Sequence, residues 1–207
     1  MKEMCQKNKF KNAVIFGLDL VRDIQIFDLK SSVVEQLKTL DIIVNCAGVN
    51  IDGDLEKTFP QELDYSIDLN LRANFIIIKN LSKFLNKGAS IINIGCLYGN
   101  RPMAGMISGC MSKAGLEALT RYAAAELASS GVRVNAIVPC PVETNIMRLL
   151  QVEDKEIKSF REKMNKNIPM GRIAKPDDIV KVVAFLASKR SKRITGQIIR
   201  VDGGKYN

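Results

Sequence analysis

The sequence predicts an α/β fold, a doubly wound parallel sheet in a single domain. Short β-rich runs alternate along the chain with longer helical patterns, which is typical of a parallel sheet with helices on both faces. Several of the runs are almost wholly apolar, as expected for strands that are covered on both sides. The length of 207 residues suits one domain, and we find no internal repeat, linker or low-complexity tract.

We predict six strands from these runs. The first two are separated by only the six residues from Gly17 to Arg22, far fewer than the roughly 30 residues of a full βαβ unit, so the first βαβ unit is predicted to be truncated. In chain order the predicted strands are Asn12 to Phe16, Asp23 to Phe27, Asp41 to Asn45, Ser90 to Ile94, Val132 to Val138 and Gln197 to Val201.

Three segments carry helical patterns. Apolar residues recur at helical spacing from Pro60 to Lys83 and again from Ser112 to Ser129. A third helix is predicted to begin at Pro176, because a proline and two following carboxylates suit the first turn of a helix. The stretch from Met147 to Asn167 is polar and weakly periodic, so we expect a lid-like loop with a short helix there.

The composition excludes several classes of site. The sequence has no histidine, which removes Ser-His and Cys-His nucleophiles and histidine metal sites, and its five cysteines form no C-x-x-C pair. We therefore expect free thiols, no metal site and no disulfide framework. The sequence contains no apolar run of signal-peptide or membrane-spanning length, so we expect a cytoplasmic protein with no membrane partner.

The net charge of +9 leaves two interpretations open. It could mark a nucleic-acid or acidic-membrane partner, or it could be a basic, solvated surface. The lysines are scattered and form no block of five or six like charges, so the solvated surface is the favoured interpretation.

A set of short strings occurs in a defined order along the chain. In order they are Asn45 to Gly48, Asp68 to Leu71, Ile92 to Cys96, Ser112 to Leu116, Arg133 to Pro139, Glu143 with Thr144, Ile168 to Arg172, Thr195 with Gly196, and Asp202 to Gly204. The set resembles the short-chain dehydrogenase/reductase family, especially its bacterial β-ketoacyl-carrier-protein reductases and animal carbonyl reductases. The resemblance covers about Asp23 to Lys205. It implies a Rossmann-like fold, an NAD(P) cofactor, a carbonyl or alcohol substrate, and a homo-oligomer, either a dimer or a tetramer.

The resemblance assigns catalytic positions to Asn70, Cys96 and Lys113. In the family a tyrosine gives its proton to the substrate while the nicotinamide gives a hydride, a lysine lowers the pKa of that tyrosine and holds the ribose, a serine holds the substrate oxygen, and an asparagine supports a proton relay. The tyrosine position is Gly109 and the serine position is Cys96. Glycine has no proton to give and a thiol is a weak donor, so we expect an impaired or inactive site. Tyr98 or an ordered water could replace the tyrosine.

The resemblance also assigns cofactor contacts. Asp28 matches an adenine-binding aspartate after the second predicted strand, although it could instead cap a helix that starts at Ser31. The glycine-rich turn that holds the pyrophosphate has no match, because Gly17 stands alone after the first strand, so NAD(P) is expected to bind weakly or not at all. Asp19 could imitate the residue that holds a ribose hydroxyl. The cofactor contacts are assigned to Asp28, Asn45, Ala47, Gly48, Lys113, Pro139 and Thr144.

Structural roles compete with some of these assignments. Gly48 could serve only a tight turn, Lys113 could be an exposed helix residue, and Pro139 and Thr144 could shape a turn. Cys140 replaces a glycine that the family has after the proline, and Pro141 stiffens the same loop.

Three hypotheses for function follow. The first is a non-catalytic homologue that acts as a binding or assembly subunit. The second is a working NAD(P)-dependent oxidoreductase that uses Cys96, Lys113 and a water at Gly109. The third is nucleic-acid binding through the basic surface.

Overall fold

The computed structural model describes residues 14–144 and 152–206. The strands in this part form one four-stranded sheet in the order β1-β2-β3-β4, and every neighbouring pair is parallel. The predicted α/β fold with a parallel sheet is therefore confirmed. The strands are β1 Leu40–Asn45, β2 Leu85–Ile94, β3 Arg133–Pro139 and β4 Ile198–Val201.

Six α-helices in the described residues accompany the sheet. The predicted helix from Pro60 to Lys83 is confirmed, but a π-helical segment, Asp68–Arg72, divides it. None of the helices in ranges 14–144 and 152–206 is long and apolar enough to cross a membrane. The helices are α1 Asp23–Leu37, α2 Pro60–Ile67, α3 Ala73–Leu81, α4 Ile107–Leu127, α5 Asp154–Asn167 and α6 Pro176–Ala187.

Helices cover both faces of the sheet, so the fold is doubly wound. Successive residues of a strand point to opposite faces, and the adjacent Ile91 and Ile92 of β2 belong to two different buried clusters. On one face Asn93 Nδ2 donates to Thr120 Oγ1 of α4 at 2.9 Å. On the other face Ser90 Oγ donates to the Leu186 carbonyl of α6 at 2.9 Å. Both faces of the centre of the sheet are therefore buried by helices.

β1 is an edge of the sheet. No strand in the described residues pairs with its outer side. Ile42 and Val44, which point to the same face, remain 47% and 42% exposed.

The second predicted strand is wrong, because Asp23 to Phe27 begins helix α1. Ile26, Leu29 and Val33 recur at helical spacing and pack into the core, whereas Phe27 is exposed. A five-residue run with alternating polarity does not distinguish a strand from this helix. Of the first predicted strand, Val14 to Phe16 forms no strand, and Asn12 and Ala13 lie outside the described residues. Because Asp23 to Phe27 is helical, the six residues from Gly17 to Arg22 do not separate two strands and give no measure of the first βαβ unit.

The lid-like loop is also corrected. Asp154–Asn167 is one helix of 14 residues, held by the buried Ile157, and positions 147–151 lie outside the described residues. The predicted helices at Ser112 and Pro176 are confirmed. Helix α4 begins at Ile107, however, so Gly109 lies inside its first turn.

Candidate functional site

The carboxyl ends of the parallel strands meet at one edge of the sheet, which is where ligands bind in such folds. The structure brings Gly48, Asn70 and Lys113 together at this edge. A Cβ added at Gly48 would lie 2.9 Å from Asn70 Oδ1 and 3.0 Å from Lys113 Nζ. A side chain at position 48 would therefore displace one of the two polar groups.

Asn70 is fully buried in the π-helical segment. Its Nδ2 donates to the Val49 carbonyl at 2.8 Å and to Ser112 Oγ at 2.9 Å, and its Oδ1 accepts from the Val49 N–H at 2.9 Å. Because both ends of the amide are engaged, Asn70 fixes the turn after β1 against helix α4.

Lys113 is 8% exposed, and its Nζ donates to the Ile94 carbonyl at 3.0 Å. The ammonium therefore lies between the ends of β1 and β2. Burial lowers the pKa of Lys113, while the nearby thiols of Cys96 and Cys46 act in the opposite direction. The alternative of an exposed helix residue is wrong for Lys113. Cys46 lies within the string Asn45 to Gly48, but nothing in that string indicated a role for it, because it comes close to Lys113 only in the fold.

Asn50 occupies the space beside Gly109. A Cβ added at Gly109 would lie only 2.1 Å from Asn50 Oδ1. The Asn50 amide is held by a 2.9 Å hydrogen bond from its Nδ2 to Asp52 Oδ1. The position that the resemblance assigns to the proton donor is thus empty of any acid and partly filled by a carboxamide. Nothing in the sequence around Asn50 indicated this contact.

The two nearest candidate acids are poorly suited to donate a proton. Burial raises the pKa of the Cys96 thiol. Burial also raises the pKa of Tyr98 to about 12, and Lys205 Nζ lies 6.0 Å from the centre of its ring. The family mechanism needs a tyrosine whose pKa is lowered towards neutrality. The environment of Tyr98 shifts its pKa in the opposite direction.

The remaining predicted cofactor residues differ in burial and in the element that carries them. Asn45 is buried and its Nδ2 donates to Asn93 Oδ1 at 2.8 Å, which ties β1 to β2. Ala47 and Thr144 are exposed, and Pro139 is the last residue of β3. Asp28 lies exposed in the middle of helix α1. Both sequence placements of Asp28, after a strand and as the cap of a helix starting at Ser31, are wrong because α1 is continuous from Asp23 to Leu37.

The described residues fit one end of a dinucleotide better than the other. The open backbone at Gly48 and the Lys113 ammonium suit a ribose hydroxyl. The pyrophosphate has no matching cradle ahead of α1, where Gly17 is the one glycine in the range 14–22. The first turn of α1 carries Asp23, paired with Arg72, and a carboxylate at a helix N-terminus disfavours a phosphate. No group of three His, Cys, Asp or Glu in the described ranges could hold a metal ion.

A family model of the short-chain dehydrogenases, described as enoyl-(acyl carrier protein) reductase, matches residues 2–206. The chain belongs to the short-chain dehydrogenase/reductase family. Among its curated relatives, a 3-oxoacyl-[acyl-carrier-protein] reductase FabG of Rickettsia bellii is 38% identical over 176 residues, which are 84% of this chain and 70% of the relative. The FabG of a Staphylococcus aureus strain is also 38% identical, over 84% of this chain and 69% of the relative.

Solved structures of short-chain dehydrogenases agree with the fold. A Serratia marcescens short-chain dehydrogenase/reductase variant superposes with a TM-score of 0.88 at 27% identity, covering 99% of this chain and 82% of that one. The ligand-free aldohexose dehydrogenase of Thermoplasma acidophilum superposes with a TM-score of 0.87 at 25% identity, covering 94% and 80%. The predicted family and its Rossmann-like fold are confirmed. The roles of individual site residues remain predictions.

Proposed function

We propose that this short-chain dehydrogenase/reductase chain is a catalytically impaired homologue that acts in the cytoplasm as a binding or assembly subunit. The observation that carries the proposal is Gly109, which has no proton to give and whose missing side chain is partly replaced by Asn50. A missing general acid costs about 10²–10⁴-fold in rate, or roughly 3–5 kcal/mol of barrier. Cys96 and Tyr98 do not compensate, because burial raises the pKa of both groups.

Weak cofactor binding is the second part of the proposal. Gly48 and Lys113 would hold a ribose, and a bound NAD(P) would supply the hydride chemistry of the family. The pyrophosphate end finds no cradle beside α1, so the nicotinamide would be poorly positioned. Positioning of this kind can contribute about 7–11 kcal/mol to a reaction between two bound groups.

Self-association is the third part. Helices α3 and α4 border a groove that exposes large apolar side chains, with Phe75 47% and Tyr122 68% exposed. Exposed apolar patches of this kind mark interaction sites. We propose that the groove packs against a second copy to give a dimer or tetramer.

One experiment decides the catalytic part. The protein is titrated with NADPH and with NADH by calorimetry, and turnover is then followed with a diketone and with a 3-oxoacyl thioester, the substrate type named for its FabG relatives. We expect weak or undetectable binding and turnover at background. Micromolar affinity with turnover well above background would instead favour an active carbonyl reductase that uses Cys96, Lys113 and a water.

Light scattering tests the assembly part. We expect an oligomer at tens of micromolar that dissociates in the Tyr122→Glu variant. The matched control is Leu55→Glu, which changes an apolar side chain that is 79% exposed and lies outside the groove. A monomeric wild type, or equal effects of the two variants, would contradict the proposed interface.

A further inference from the structure

The amino ends of the four strands meet at the edge of the sheet opposite the candidate site. Contacts between neighbouring loops make this edge continuous. Asn86 Nδ2 donates to Thr39 Oγ1 at 3.3 Å, which joins the start of β2 to the loop before β1. The N–H of Gly88 donates to the Gly131 carbonyl at 3.0 Å, which joins the first half of β2 to the loop before β3. Arg133 Nη1 donates to Ser191 Oγ at 2.9 Å, which joins β3 to the loop before β4.

The joined loops and strand starts carry a concentration of positive charge, which we call the basic edge. None of its exposed cations forms an ion pair with another described residue. In the ranges 38–41, 82–88, 128–133 and 188–193 the one carboxylate is Asp41, which accepts a hydrogen bond from Asn86 Nδ2 at 2.9 Å. The seven exposed cations are Lys38, Lys83, Lys87, Lys189, Arg190, Lys192 and Arg193.

Four of these cations stand on one rigid turn. The turn is a short 3₁₀ helix, Lys189–Ser191, continued by Lys192 and Arg193. The fully buried Ser191 anchors it, because its Oγ donates a hydrogen bond to the Leu186 carbonyl at 2.9 Å and accepts one from the Arg133 guanidinium. A turn fixed in this way loses little conformational freedom when a ligand binds, which favours binding.

We propose that the basic edge binds the phosphate backbone of a nucleic acid without reading its base sequence. Three strand spacings place the loops across roughly 14 Å, and duplex DNA presents one charge per about 1.7 Å of its axis. Repeated cations along such a length match a ligand of high and regular charge density. The activity is separate from the proposed impaired reductase site, which lies at the other edge of the sheet.

Other features of the basic edge favour a nucleic acid over a membrane. Membrane-surface segments combine cations with inserted apolar side chains. Leu37 and Ile42 are the two large apolar residues next in sequence to these four ranges that are exposed, and they lie beside the same range, 38–41. Phe84 is the one aromatic residue in the four ranges and it is partly buried, so base stacking has no fully exposed aromatic surface and contacts to the phosphate backbone remain.

The test is fluorescence anisotropy with a labelled single-stranded RNA and a labelled DNA duplex, each of mixed sequence, at low and moderate salt. The test variant is Lys189→Gln/Arg190→Gln/Lys192→Gln/Arg193→Gln. The control variant is Lys155→Gln/Lys158→Gln/Lys163→Gln/Lys166→Gln, which removes the same charge from exposed positions of helix α5. The double variant Lys192→Gln/Arg193→Gln guards against misfolding of the turn, and circular dichroism checks every fold.

We expect wild-type affinity in the range of about 10⁻⁴–10⁻⁶ M, falling steeply with salt. The test variant should bind at least tenfold more weakly, with a salt slope reduced by up to about 3–4. The control should change affinity less than threefold, and the double variant should fall between. Absence of wild-type binding to both probes, or equal losses in test and control variants, would overturn the proposal. So would binding to phosphatidylglycerol vesicles with none to either nucleic acid.

Discussion

Restoring the family side chains should not restore a reductase. The perturbation is Cys96→Ser with Gly109→Tyr, made alone and with Asn50→Ala. A Cβ at position 109 would lie 2.1 Å from Asn50 Oδ1, well inside the 3.4 Å at which ordinary van der Waals contact begins, so Asn50 must turn away. Its oxygen is the far end of an exposed side chain. The displacement therefore costs mainly the 2.9 Å hydrogen bond to Asp52, about 0.5–1.5 kcal/mol.

The double variant should therefore fold, and the triple variant should recover part of the lost stability. Lys113 stands four residues after the introduced tyrosine, one helical turn away, where its charge lowers the pKa of a phenol. The tyrosine introduced at position 109 could, as a general acid, raise the rate by about 10²–10⁴-fold. Positioning of the nicotinamide, worth about 7–11 kcal/mol, is not returned by these substitutions.

The assay follows NADPH oxidation with a reactive diketone, and phenolate absorbance reports the pKa of the introduced tyrosine. Cys96→Ser with Gly109→Phe is the control, because it adds the ring without the hydroxyl. We expect turnover near background in every variant. A rate of about 1 s⁻¹ or more in the tyrosine variants alone would refute the reasoning on the missing cradle. Gly109 would then account for the proposed impairment by itself.

Three further predictions concern stability. Gly48→Ala should lower the free energy of unfolding by about 1–3 kcal/mol in urea melts, because its Cβ would crowd Asn70 and Lys113. Gly17→Ala is the neutral control, because a Cβ there meets no atom within 4 Å. Equal effects of the two substitutions would contradict the close approach of Asn70 and Lys113 to Gly48. The lowered pKa of Lys113 means that the unfolded chain binds more protons between the folded pKa and about 10.5, so stability rises with pH there. If Lys113→Met is more stable than the wild type, this advantage in free energy of unfolding should shrink as pH rises through this window. A difference that does not change with pH would contradict the lowered pKa of Lys113. Two hydrogen bonds from Arg172, of 2.7 and 3.1 Å, hold the pKa of the Asp178 carboxyl well below its usual range. Arg172→Ala should therefore reduce the loss of stability that accompanies a fall in pH. An unchanged dependence of the melting temperature on acidic pH would argue against this role.

The sequence allowed the sheet to be predicted wherever a strand is buried on both faces. The runs around Ile92 and Val134 are apolar because helices cover both sides of the sheet there, whereas the run around Ile43 is apolar although one face of β1 stays partly exposed; all three were placed correctly. The run at Asp23 failed because the residues that decide the helix, Leu29 and Val33, lie beyond the short window that suggested a strand. A longer window would have shown the helical spacing.

The site divides in the same way. Asn70 and Lys113 were found through a family resemblance, and the fold brings them to one place. The contact of Asn50 with Gly109 joins positions that are 59 residues apart, and no local pattern encodes it. The basic edge was missed for a related reason: its cations come from four loops, none of which carries a block of five like charges, and only the parallel topology brings them together.

The π-helical segment Asp68–Arg72 determines what the deletion of one residue in this helix would do. A π turn holds one residue more than a regular turn while the helix on either side continues. Deleting one residue there would return the segment to regular pitch and leave α2 and α3, with the buried Ile76 and Ile77, facing as they do. The position from which Asn70 reaches Val49 and Ser112 would then be gone. At this point of the helix a single deletion could remove the anchor of the site while sparing the core, a separation that few substitutions in a packed helix allow.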